Sequence, residues 1–185
     1  WLLQGGTTGG GGVLRWFENQ FGAQERMLAQ QNGTGSFYEM DREAEKISPG
    51  SDGVLFLPYL SGERSPIWDE KAKGVYYGLD FSKTRAHMIR ASLEGVAYSL
   101  RHNITAAQEA GAPVGELRSI GGAANSRLWT QIKSDITGKR ILVPSSDTAT
   151  TLGAVILAGV AVGIYPRFES AVKQTAKVKR VHEPN

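Results

Sequence analysis

The 185-residue chain contains no cysteine. A disulfide scaffold, a thiolate metal site and a cysteine nucleophile are therefore excluded outright. Histidine is scarce too: His87, His102 and His182 stand far apart, without the neighbouring carboxylates that a zinc site needs. The longest apolar stretch, residues 152–164, is too short to cross a bilayer and is broken by Gly153, Gly159 and Gly163. Charge of one sign is also missing. Lys and Arg number 21 against 18 Asp and Glu, and 21 − 18 = +3. A nucleic-acid footprint needs a basic stripe with interleaved aromatics. The densest basic run, residues 173–180, has none and reads as a solvated terminal helix. No basic segment leads into an apolar run at the start, and neither a GxxxxGK[ST] phosphate loop nor a GxSxG elbow occurs. The expectation is a soluble, cytoplasmic single domain with no nucleic-acid and no membrane partner.

What the sequence does have is glycine, 23 of them, in informative places. Residues 1–4 read as a strand with no lead-in, as in a chain cut from a longer one. Four glycines, 9–12, follow and open a helix over 13–21, with Val13, Leu14, Phe17 and Phe21 near one face. Residues 30–36 form a loop, and 37–47 a short charged helix stopped by Ser48, Pro49 and Gly50. The run VLFLPY, 54–59, reads as a strand buried on both faces, and GVYYGL, 74–79, as a second β-prone segment. The strongest helix covers 83–110, where Ile89, Leu93, Val96, Leu100 and Ile104 form one face. Then come a strand at 117–120, a helix at 126–137, a strand at 141–143, a small-residue helix at 151–162 and a last helix from Phe168. Alternating strands and helices in this half imply parallel crossovers and an α/β sheet.

Two glycine turns can carry chemistry. Between the strand at 117–120 and the next helix, Gly121 and Gly122 remove Cβ atoms where a flat ligand or phosphate can approach the backbone, and Ser126 can cap or donate. The same residues also suit a plain tight turn. At the first helix start, Gly11 and Gly12 bare the backbone and Arg15 can reach phosphate or stack on a base. A flexible linker is the alternative there. Glu94 stands four residues from Arg90, the spacing of a helix ion pair. Trp68 and Trp129 read as core or interdomain packing. His87 and His102 face solvent or a neighbour. In the polar excursion 61–73, Arg64 is the residue best suited to hold an anion or bridge a domain interface.

Residues 74–94, GVYYGLDFSKTRAHMIRASLE, resemble the second signature of the FGGY carbohydrate kinases. That signature is Gly-x-aromatic-x-Gly-Leu, seven residues, then His-Met-x-x-Ala-Ser-Leu-Glu, and every specified position is filled. LPYLSGERSPIWD at 57–69, IGGAANSRLWTQIKSDITG at 120–138 and TLGAVILAG at 151–159 are similar to further family segments, in family order. The wording SGERSP leans towards the xylulose kinase and gluconate kinase branches rather than glycerol kinase.

The resemblance implies an actin-like ATPase (ribonuclease H-like) α/β domain, a mixed sheet with helices on both faces. It implies that residues 1–185 are one C-terminal, nucleotide-side domain of a two-domain sugar kinase. Its partner would be the N-terminal sugar-binding domain, which this sequence lacks. ATP and Mg²⁺ would be the cofactors, and xylulose or a related pentulose or sugar acid the substrate. Carried over by position, Gly11, Gly12 and Arg15 fall on one nucleotide-contacting helix start. Gly121, Gly122 and Ser126 fall on the adenosine-side turn, although Ala123 stands where relatives often have a third glycine. The family's acidic residue before the 151–159 helix has no clear counterpart; Asp147 lies nearby without an assigned role. The family's Asp-x-Gly-Thr hairpin and its general-base aspartate are not in this sequence. No catalytic residue and no metal ligand is therefore expected here, and the chain alone should be inactive. An actin-like module that binds nucleotide or a partner without catalysis is the rival reading. Pairing of two copies through the exposed interdomain face is a further expectation.

Overall fold

Helix α4 (Arg85–Glu109) is the axis around which the other elements are arranged. The computed structural model describes residues 4–146 and 148–185. The expected strand at 1–4 therefore lies almost wholly outside the described residues, as does Asp147. Along α4, Ile89, Leu93, Val96 and Ile104 are buried as the heptad-like spacing requires. The helix begins with reciprocal capping. Thr84 N–H donates to His87 Nδ1 at 3.1 Å while the Thr84 side chain holds the backbone at His87. Nε2 of the same imidazole faces Asp52 Oδ2 at 3.1 Å, so His87 serves the helix start and the preceding turn, whereas His102 is exposed.

Three helices precede α4: α1 (Gly10–Phe21), α2 (Ala23–Asn32) and α3 (Ser36–Ala44). Helix α2 corrects the expected loop at 30–36, since it runs on to Asn32 and α3 already begins at Ser36. It is amphipathic only weakly and is set off by Gly22 and by Gly33, which caps it at φ 66°. Val13, Leu14 and Phe17 of α1 and Met40 and Ala44 of α3 pack with Ile89, Leu93, Trp129 and Ile132 in one core.

Strands β1 (Leu55–Leu57) and β2 (Val75–Tyr77) form an antiparallel pair lying against α4. The expectation that 54–59 is buried on both faces is corrected. Only Phe56 of β1 points inward, and Leu55 and Leu57 are 48% and 46% exposed, because no described element covers the second face of this two-stranded sheet.

The second sheet is mixed, in the order β3 (Glu116–Arg118), β4 (Arg140–Pro144), β5 (Val178–His182). Strands β3 and β4 run parallel, joined through α5 (Arg127–Thr137), the crossover that the alternation implied. The basic tail is the second correction. Helix α7 (Phe168–Thr175) ends within it, and Val178–His182 is a strand antiparallel to β4. The free edge of β4 offers ladder partners, and the tail pairs with it, Ile141 opposite His182 and Val143 opposite Arg180. Its side chains hold the flanking elements: Arg180 reaches the Ala124 carbonyl, and His182 Nδ1 meets Gln131 Oε1 of α5 at 2.9 Å. Helix α6 (Ala149–Ala161) packs with α7 and leaves Val155 and Leu157 exposed. No helix among the described residues is long and apolar enough to cross a membrane.

Candidate functional site

The glycine run before α1 divides into two kinds of position. At Gly9, the residue before the helix, a Cβ would stand 2.6 Å from the Pro58 carbonyl oxygen, so glycine is required by packing. At Gly11 and Gly12 a Cβ would meet nothing within 4 Å. No side chain caps this helix start, and its first turn has no acidic residue. The first-turn N–H groups therefore keep their partial positive charge for a ligand. One turn on, the Arg15 guanidinium lies over the Phe37 ring of α3 at 5.6 Å from its centroid.

The second glycine turn is made differently. Gly121 takes φ 79° and ψ −176°, a region open essentially to glycine alone, and this bends the chain out of β3. A short 3-10 turn, Gly122–Asn125, leads to Ser126, whose side chain accepts the Trp129 N–H at 2.9 Å and caps α5. At Gly122 a Cβ again finds open space. Trp129 is 3% exposed, and its indole N–H donates to the Leu93 carbonyl at 2.9 Å, fixing α5 to α4. This tryptophan is core, whereas Trp68 is 70% exposed and packs into no core among the described residues.

The start of α1 and the Gly122–Ser126 turn line one cavity of about 550 Å³. Gly11, Gly12 and Arg15 line it from α1, Gly122 and Ser126 from the second glycine turn, and Phe37, Tyr38 and Asp41 from α3. The size suits one drug-sized or nucleotide-sized ligand. Gly121 does not line the cavity; its part is to make the turn that presents Gly122. Arg64 is not there either. It is exposed on the 61–69 loop, away from the lining.

One titratable group in the cavity lining and one behind it are shifted by burial. Burial pushes the Asp41 carboxyl up to about 6, with the Ser126 hydroxyl opposing the rise and Glu45 adding to it. Lys133 sits over the Trp129 ring at 4.6 Å, and burial brings its ammonium down to about 8. Away from the cavity, the Arg90–Glu94 pair is buried, Nε to Oε1 2.6 Å, and Glu94 Oε1 also accepts the Gly50 N–H at 3.0 Å. The signature glutamate therefore anchors the 48–50 turn as well as making the helix pair. Among the described residues no group of three or more His, Asp or Glu is placed to hold a metal ion.

The α3 contribution was missed in the sequence. Phe37, Tyr38 and Asp41 sit in a charged segment with no glycine to mark it. Their spacing, i, i+1 and i+4, would have placed Phe37 and Asp41 on one helix face.

Residues 1–162 match the FGGY family of carbohydrate kinases, C-terminal domain. The chain belongs to this family. A gluconokinase of Bacillus subtilis (strain 168) is 38% identical over 185 residues, which is 100% of this chain and 36% of that protein. Among solved structures, a ligand-bound xylulose kinase from Lactobacillus acidophilus superposes with a TM-score of 0.80 at 27% identity, covering 97% of this chain and 34% of that one. A Plasmodium falciparum glycerol kinase with ADP superposes with a TM-score of 0.79 at 27% identity, covering 95% and 33%. These likenesses give the chain the actin-like α/β fold of the family. The chain spans about a third of the length of these relatives.

Proposed function

We propose that this FGGY-family chain supplies the nucleotide-holding part of an ATP-dependent sugar kinase. One observation carries the reading: two glycine-bared backbone segments, the start of α1 at Gly11–Gly12 and the turn at Gly122, open on one cavity beside the Arg15 guanidinium. Backbone N–H groups and a guanidinium suit phosphate oxygens, while the exposed Phe37 and Tyr38 rings offer apolar surface to a purine. In this reading Gly11, Gly12, Arg15, Gly122 and Ser126 contact the nucleotide, and Gly121 shapes the turn. Magnesium enters on the phosphates, where it keeps most of its waters and needs few protein ligands. Arg64, exposed on its loop, faces the sugar side or the second domain. The kinship with gluconokinases and xylulose kinases favours a sugar acid or a pentulose as the acceptor, phosphorylated in the cytoplasm. Residues 1–185 act as the C-terminal unit of a two-domain enzyme and supply no catalytic base.

The test is titration of ATP, with and without Mg²⁺, against the 185-residue chain. Trp129 lines the cavity, so its fluorescence reports occupancy, with calorimetry as the check. Saturable binding is expected, and Gly122→Ala, whose Cβ would meet nothing within 4 Å in the folded protein, should weaken it severalfold. No saturable binding at millimolar ATP sinks the reading and leaves a non-catalytic interaction module as its replacement.

A further inference from the structure

Glu63 lies outside the cavity yet is 5% exposed, and among the described residues no Lys, Arg or His pairs with it. A buried carboxylate without a cation persists only where several donors hold it. Here the donors come from the approach to α1. The Thr7 hydroxyl donates to Oε2 at 2.6 Å and the Thr8 N–H to Oε1 at 3.0 Å, beside the Arg64 N–H at 2.7 Å. Two more bonds join the same pair of segments: the Thr8 hydroxyl donates to the Gly62 carbonyl, and the Gly6 N–H to Ser65 Oγ at 2.8 Å.

The loop has no slack with which to follow a displaced partner. Glu63 and Asp69 exchange backbone bonds of 2.8 and 3.0 Å, and Gly62 holds φ 73°, where a Cβ would lie 2.7 Å from the Glu70 carbonyl oxygen. Beyond Thr8 comes Gly9, pressed on Pro58, and then the first turn of α1 with its cavity-lining glycines. The position of that turn is thus set by whatever holds Thr7 and Thr8.

We propose that Glu63 is a positioning residue. It locks the segment entering α1 to the 61–69 loop, so that the cavity wall at Gly11–Gly12 and the exposed loop carrying Arg64 and Trp68 are registered by one carboxylate. The proposal rests on the nucleotide reading above for its functional consequence, and on the hydrogen bonds alone for its geometry. Ligand contact on the loop would be felt at the nucleotide wall through the same group.

The experiment compares Glu63→Ala, Glu63→Gln and Thr7→Val with a control, Gly138→Ala, which strains the far end of α5 at φ 62° and lowers stability away from the cavity. ATP affinity is measured below every variant's unfolding temperature, and amide spectra are recorded without nucleotide. Glu63→Ala should lose about tenfold or more in affinity and move the Gly11 and Gly12 resonances. Glu63→Gln, which keeps the shape and one acceptor, should stay within about threefold. Thr7→Val, lacking one leg, should fall between them, and Gly138→Ala should keep its affinity despite a lower Tm. Unchanged affinity in Glu63→Ala, or losses that follow Tm across all four variants, would overturn the proposal. Should the unsubstituted chain bind no ATP, the nucleotide reading fails separately. The Gly11 and Gly12 resonances then decide the positioning role: unmoved in a folded Glu63→Ala or Thr7→Val, they refute it.

Discussion

Asp41 shows how much one side chain can contribute to the site. The carboxyl titrates near 3.8 in a free chain and near 6 here, because the cavity wall withdraws it from water. Between those values the folded protein holds a proton that the unfolded chain has released. Its contribution to stability is therefore favourable below the window and is lost as pH rises from about 4 to about 6. Asp41→Asn removes the desolvated charge without changing the shape. Thermal unfolding at pH 7 should show the variant more stable by about 1 kcal/mol, discounted for the carboxyl's partial contact with solvent. At pH 4 the two proteins should nearly coincide. A variant less stable at pH 7, or equally shifted at both pH values, would mean that Asp41 is better paired than its burial implies. Glu63 and Glu94 make the complementary point: each is buried and each is held by N–H or O–H donors from a distant segment, so a carboxylate serves as a clamp.

Helix α1 is where stability and binding pull apart. Glycine is among the weakest helix formers, yet α1 begins with three in a row. Nothing within 4 Å of a Cβ at Gly11 or Gly12 forbids a side chain there. Alanine at either position should therefore stabilise the fold by up to about 1 kcal/mol, seen as a higher Tm. It should also set a methyl group on the cavity wall and weaken ATP binding severalfold. Higher stability with undiminished ATP binding would remove the first turn of α1 from the site. Helix α4 has the opposite character, with its periodic face buried at Ile89, Leu93, Val96 and Ile104 and half-buried at Leu100, and its start capped by Thr84 and His87. That face could be read from spacing alone. Helix α2 and the tail strand β5 could not, because one has little amphipathic pattern and the other forms only to complete the edge of β4.

At the scale of the whole molecule, a nucleotide site and a catalytic machine are different things. In-line phosphoryl transfer needs the acceptor hydroxyl, its base and the γ-phosphate aligned together. This chain spans about a third of its relatives and presents one cavity wall with no base assigned to it. Incubated with ATP, Mg²⁺ and either gluconate or xylulose, the chain should release no sugar-dependent ADP in a coupled assay. Joined to the N-terminal two-thirds of a gluconokinase relative, it should do so. Phosphorylated sugar from the chain alone would refute the division of labour proposed here.

Local chemistry in the sequence determined the long helix, the glycine turns and the signature from Gly74 to Glu94. Each depends on spacing over a few residues, which covalent order controls directly. Spacing could not show that Gly11 and Gly122, more than a hundred residues apart, share a cavity; the family resemblance implied it, and the tertiary structure brings them together. Tertiary structure alone decided that Phe37 and Asp41 line that cavity and that Glu63 grips Thr7 and Thr8. Those juxtapositions come from how α1, α3 and α5 pack on α4, and packing between distant segments depends on the shapes of many side chains at once.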